Sequence, residues 1–167
     1  MRFILAICAF ALLTMSAAAQ VSGQAFQGFR GESDDPIAIE ADKLDVVDGE
    51  AKATFTGNVK IRQGASLITT GKLVVFYVKG GEGGQNDIER LDLSGGVVAT
   101  SEENTASAER GTYLVKSEDI TLEENVVISQ GESIAKGCKL VANLKTNVAT
   151  LESCGGRVQS VFKPGSN

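Results

Sequence analysis

From Pro36 onward the chain alternates apolar and polar positions. Phe55, Gly57, Val59 and Ile61 hold one phase through polar Thr56, Asn58 and Lys60. Ile37 with Ile39, Leu73 with Val75 and Tyr77, Tyr113 with Val115, Ile120 with Leu122, and Val126 with Ile128 repeat the pattern. Period two over runs of four to eight residues predicts strands with one buried face, and no window carries a 3.6-residue period. Abundant Val, Ile, Thr and Gly agree with strands and turns. The inward set expected from phase includes Ile37, Ile39, Leu44, Val46, Phe55, Val59, Ile61, Leu73, Val75, Leu93, Val97, Tyr113, Val115, Leu122, Val126, Ile128 and Leu140.

A two-part motif recurs. Ala41-Asp42-Lys43-Leu44 is echoed by Thr70-Gly71-Lys72-Leu73, Ala108-Glu109-Arg110-Gly111 and Gly137-Cys138-Lys139-Leu140. Phe55-Thr56-Gly57-Asn58-Val59 is echoed by Leu93-Ser94-Gly95-Gly96-Val97, Leu122-Glu123-Glu124-Asn125-Val126 and Ser153-Cys154-Gly155-Gly156-Arg157-Val158. The longest unit holds a Gly-rich loop insertion, Lys79 to Asn86. One such unit cannot bury its own apolar face, so the units stack, giving an all-β, rolled antiparallel array of short strands. Lys43, Lys72 and Arg110 hold equivalent places and point away from the apolar face. They read as a cross-strand charge ladder that discourages edge aggregation, or as contacts for lipid phosphate.

The N-terminus has the form of a secretory signal peptide: Arg2, an almost unbroken apolar run from Phe3 to Met15, and small residues up to Ala19. That run is shorter than the roughly 20 residues a membrane span needs. Gln20 to Asp35 reads as a flexible leader. The folded unit is expected over 36–164, with a short tail at 165–167. Cleavage after about Ala19 removes Cys8 and leaves Cys138 and Cys154, an even pair that suggests one disulfide in an exported protein. If Lys145-Thr146-Asn147 forms a hairpin tip, the two cysteines stand directly opposite one another, at a spacing that a disulfide spans.

Composition then narrows the chemistry. The 167 residues include no histidine, which excludes an imidazole base and a His-ligated metal. The net charge is −5; without residues 1–19, 15 basic against 21 acidic residues give −6. An acidic chain does not suit nucleic acid. Gly80-Gly81-Glu82-Gly83-Gly84 lacks the Lys-Ser/Thr and helix of a phosphate loop. Glu102-Glu103, Glu118-Asp119 and Glu123-Glu124 are sequence neighbours, which on a strand face opposite ways and cannot act as a catalytic pair. No enzyme, cofactor or metal site is expected.

Pro36-Ile-Ala-Ile-Glu-Ala-Asp-Lys-Leu44, Phe55-Thr-Gly-Asn-Val-Lys-Ile-Arg-Gln-Gly64, Ile134-Ala-Lys-Gly-Cys-Lys-Leu140 and Arg157-Val-Gln-Ser-Val-Phe-Lys-Pro164 together resemble the LptA/OstA-like periplasmic lipopolysaccharide-transport proteins. The resemblance spans about residues 36–164. It implies an open, taco-like antiparallel β-jellyroll whose apolar groove carries the acyl chains of lipopolysaccharide (lipid A). Its edge strands would join end to end with an inner-membrane Lpt complex, an outer-membrane Lpt translocon and further copies of the chain. On that basis Ile37, Ile39, Phe55, Val59, Ile61, Val97, Tyr113 and Val115 are the expected groove lining. Lys43, Lys72 and Arg110 are the candidate head-group contacts. The Cys138 and Cys154 pair departs from the family pattern, and Val97-Val98-Ala99 brings no large aromatic to its stretch of groove. Two other readings share the pattern: a β scaffold with a filled core, and an inner-membrane-anchored relative that recruits the bridge.

Overall fold

A computed structural model describes residues 36–80, 87–102 and 104–162. The signal peptide, the leader, residues 81–86 of the loop insertion and the tail lie outside the described residues. Ten strands form one antiparallel sheet: β1 Ala38–Glu40, β2 Lys43–Val47, β3 Lys52–Gln63, β4 Ser66–Val78, β5 Asp87–Ser101, β6 Asn104–Leu114, β7 Asp119–Gln130, β8 Ser133–Asn143, β9 Val148–Glu152 and β10 Gln159–Val161. A 3-10 turn at Asp48–Glu50 joins β2 to β3. The spatial order follows the chain from β3 to β8. Both edges are split strands: β1 and β2 share the free side of β3, and β9 and β10 share that of β8.

The strands are longer than the alternation suggested, 11 to 15 residues from β3 to β8. The phase holds through β3, β5 and β7, as from Phe55 to Ile61, but breaks mid-strand in β4, β6 and β8. It breaks because two residues of β3, β5 and β7 stand opposite one residue of a neighbouring strand there: Gly57-Asn58, Gly95-Gly96 and Glu124-Asn125. All six have positive φ, between 46° and 84°. The residues opposite are Asp42, Gly71, Glu109 and Cys138, so the two-part repeat of the sequence is a row of bulges stacked across the sheet. Side chains lock it locally: Asn58 Nδ2 donates to Asp42 Oδ2 at 2.8 Å, and the Thr70 hydroxyl donates to the Ser94 carbonyl at 2.9 Å. At Gly71 the strands approach closely, since a Cβ there would lie 3.0 Å from the Gly95 carbonyl oxygen.

Bulges bend strands and tighten their twist. Stacked in register, they fold the sheet along one line, the spine, into two arms. Val59 and Val126 on one arm and Leu73 and Leu140 on the other are 0% exposed and belong to one buried cluster. Among the described residues no second layer covers this face, so a single sheet buries them only by folding onto itself.

Candidate functional site

The inner face is built from rows of register partners. On the upper arm Ile39, Ile61, Ile68, Ala99, Ala106, Ile128 and Ala135 succeed one another from β1 to β8. On the lower arm one row is Leu44, Phe55, Leu73, Leu93, Gly111, Leu122, Leu140 and Leu151. A second is Val46, Ala53, Val75, Leu91, Tyr113, Ile120, Ala142 and Ala149. An apolar track therefore crosses the whole sheet, from one free edge to the other. Glycine makes room for leucine within it: a Cβ on Gly111 would lie 3.0 Å from Leu122 Cδ2, and one on Gly137 2.7 Å from Leu151 Cγ.

The expected lining residues separate into three groups. Val59, Ile61 and Val97 are buried in the fold of the V. Ile39, Phe55 and Tyr113 are half-buried and pack against that cluster. Ile37 precedes β1 and is exposed, and Val115 lies in the turn after β6 rather than on the strand. Leu44 and Val46 keep the inward phase but are 52% and 59% exposed, because β2 is an edge strand with nothing beyond it. Burial pushes the Tyr113 hydroxyl above its ordinary pKa, and the nearby Glu118 carboxylate adds to the shift. Phase alone did not single out Ile68, Ala99, Ala106 or Ala135. Ile68 lies across the phase break at Gly71 from Leu73, the three alanines carry little alternation signal, and only the cross-strand register places all four in a row.

The basic positions lie outside, beside the spine. Lys43 pairs with Asp45 at 2.7 Å. Arg110 pairs with Glu124 at 2.9 Å and with Glu123 at 3.9 Å, and Lys139 reaches Glu123 at 3.6 Å. Lys72 makes no ion pair with a described residue. Glu123 and Glu124 thus meet the same arginine, against the expectation that strand neighbours diverge. The left-handed turn at Glu124, φ 66°, cancels the alternation there. These exposed pairs form the charge ladder and contribute little to stability each.

Cys138 and Cys154 are joined in a disulfide with Cα atoms 5.7 Å apart. The register is one residue from the expected one. The hairpin tip is the four residues 144–147, and Lys139 faces Glu152, so the cysteines are not directly opposed. The bridge forms because β9 ends at Glu152 and the chain turns at Gly155, φ 102°. It ties down the excursion between β9 and β10. The hairpin tip is itself held by Asn143, whose side-chain oxygen accepts from the Thr146 amide at 2.7 Å. Its Nδ2 donates to Asp119 Oδ1 at 2.7 Å. Hydrogen bonds from Ser117 and then Asn143 hold the Asp119 carboxyl below its usual pKa.

Large apolar residues at the sheet edges are exposed: Leu44, Val46 and Val47 on β2, and Val148, Val161 and Phe162 on or next to β9 and β10. Unpaired strands flanked by apolar side chains are templates for another strand. Fold and site together define a bent β-jellyroll with an apolar inner track and two open edges.

Comparison places that architecture. Residues 38–148 match the family described as LptA/(LptD N-terminal domain) LPS transport protein, and the chain belongs to this family. It is 39% identical over 159 residues to an uncharacterized protein of Rhizobium meliloti (strain 1021), covering 93% of this chain and 86% of that one. It also matches an uncharacterized Rhizobium etli protein, from the region 5′ of an rpoN-linked probable transport protein. That match is 49% identical over 41 residues, or 25% of this chain and 76% of that one. Among solved structures it resembles LptH of Pseudomonas aeruginosa, the LptA homologous periplasmic component of the lipopolysaccharide transport device. The TM-score is 0.68 at 18% identity, covering 81% of this chain and all of that one, a likeness of fold.

Proposed function

We propose that this chain is a periplasmic lipopolysaccharide carrier, part of a bridge between the inner and outer membranes. Lipid A acyl chains lie between the two arms, and neighbours join through the free edges. The observation that carries this reading is the apolar track running unbroken from one open edge to the other. A track that ended inside the sheet would store lipid; one that reaches both edges can hand it on. The partners are the inner-membrane Lpt complex at one edge, the outer-membrane Lpt translocon at the other, and copies of this chain between them. The signal peptide, cleaved after about Ala19, delivers the protein to the periplasm.

Loading needs the arms to part, because Val59, Leu73, Val126 and Leu140 touch no water in this state. Acyl chains then replace the side chains that each arm loses. A buried CH₂ contributes about 0.8 kcal/mol, so a dozen give roughly 10 kcal/mol to set against opening. Ile39, Phe55, Tyr113 and Val115 are the first groups an incoming chain meets, with Ile37 at the edge and Val59, Ile61 and Val97 deeper. Lys43, Lys72 and Arg110 sit on the outer face, where a phosphate reaches them only from outside the fold. Lys72 is the best placed of the three, since the other two are already paired. Energy for transport comes from a partner.

The same full burial favours a second reading, a β scaffold whose core stays closed. Photo-crosslinking in cells separates the two. Probes at Ile39, Phe55 and Tyr113 are expected to capture lipopolysaccharide, while a probe at exposed Lys60 does not. A folded periplasmic protein with no adduct at any position would establish the scaffold. Retention of residues 1–19 in the mature protein would instead indicate the membrane-anchored relative.

A further inference from the structure

One inward row is not explained by apolar packing. Two residues beyond the row of Ile61, Ile68, Ala99 and Ala106, in the same phase, every position from β3 to β8 is polar: Gln63, Ser66, Ser101, Asn104, Gln130 and Ser133. Each is the register partner of the next. The row runs along the lip of the upper arm, beside the hairpin turns. Residues at hairpin ends are commonly polar because they meet water, but that does not account for two of these. Ser101 is 2% exposed, and Asn104 Oδ1 is buried and accepts no hydrogen bond from a described residue. A buried acceptor without a donor is costly, and folded proteins keep few of them. At the opposite ends of the strands, Ile88 and Leu144 belong to the apolar cluster.

Resting on the carrier reading, we propose that this row is a hydrogen-bonding track for the junction between acyl chains and saccharide in an acylated glycolipid. It selects neutral donors, hydroxyl and amide N–H, rather than phosphate. Asn104 Oδ1 is an acceptor awaiting a donor, and a serine hydroxyl both donates and accepts. No lysine or arginine belongs to the row, while Glu102 stands in the adjoining β5–β6 turn and disfavours an anion. Acyl chains dropped between the arms bring their first polar atoms to this lip.

The test is binding of purified hexa-acylated lipid A and, separately, of palmitate to the mature full chain, by titration calorimetry. Asn104→Leu is expected to weaken lipid A binding about five- to tenfold, the effect of one net hydrogen bond, and to leave palmitate unchanged. Ser101→Ala removes only a hydroxyl and carries the same comparison should Asn104→Leu not fold. Equal losses for both ligands, no loss for either, or a wild-type protein that binds palmitate but not lipid A would each overturn the track. Wild-type protein that binds neither ligand would overturn the carrier reading itself.

Discussion

Gly96 offers a clean test of the stacked-bulge spine. Its φ is +83°, and a Cβ built there meets no atom within 4 Å. A substitution therefore meets backbone strain without a clash. An L-residue in the left-handed region costs about 1–2 kcal/mol, and asparagine, which bonds locally, visits it readily. Loss of glycine's unfolded-state freedom returns about 0.4–1 kcal/mol. Gly96→Ala is thus expected to lose about 1 kcal/mol, and Gly96→Val about 2 kcal/mol because a β-branched residue is a true outlier at positive φ. Gly96→Asn is expected to be close to neutral, because Asn58 and Asn125 hold the same place in β3 and β7 at φ 46° and 54°. The assay is urea unfolding of the purified mature protein. With a slope of roughly 2 kcal/mol/M, the alanine variant shifts the midpoint down by about 0.5 M. Equal losses for alanine and asparagine, or a valine variant as stable as the wild type, would refute the equivalence of the three bulges.

Removing the disulfide with Cys138→Ser and Cys154→Ser, or by reduction, should lower unfolding free energy by about 3 kcal/mol, the chain-entropy value for a loop of this size; urea midpoints with and without reductant read it. Tyr113 has a raised pKa, so its contribution is complete below the unfolded-state value near 10 and is lost as pH rises through the folded-state value. Thermal melts of wild type should fall above about pH 10 more steeply than those of Tyr113→Phe, and parallel curves would contradict the burial of its hydroxyl. Leu44→Lys with Val46→Lys puts inward-phase charges on an exposed edge. Concentration-dependent association in sedimentation should disappear with no loss of fold, and unchanged association would move the contact elsewhere.

The fold class was legible because alternation survives in half-strands. Strand length was not, since the bulges at Gly57-Asn58, Gly95-Gly96 and Glu124-Asn125 shift the phase of β4, β6 and β8 opposite them and make one bent strand look like two short ones. The repeat was visible, but its meaning lay in the left-handed backbone that Gly and Asn permit. The cysteine pairing was readable from spacing, yet the register was off by one because the tip holds four residues rather than three. Inner-face residues with large side chains could be picked out by phase. The exposure of Leu44 and Val46 could not, because phase tells which way a residue points and not whether a neighbour covers it. The polar lip also escaped notice, as Ser and Gln beside a turn look the same whether they face water or a closed interior.

Fluorescence reads entry of acyl chains between the arms directly. The chain contains no tryptophan, so a single Phe55→Trp substitution creates a unique fluorophore at a half-buried point of the inner track. Lipopolysaccharide or lipid A with brominated acyl chains should quench it, and should leave a Lys60→Trp probe on the outer face unquenched. Equal quenching at both positions, or none at Phe55→Trp under conditions where lipid is bound, would contradict the account.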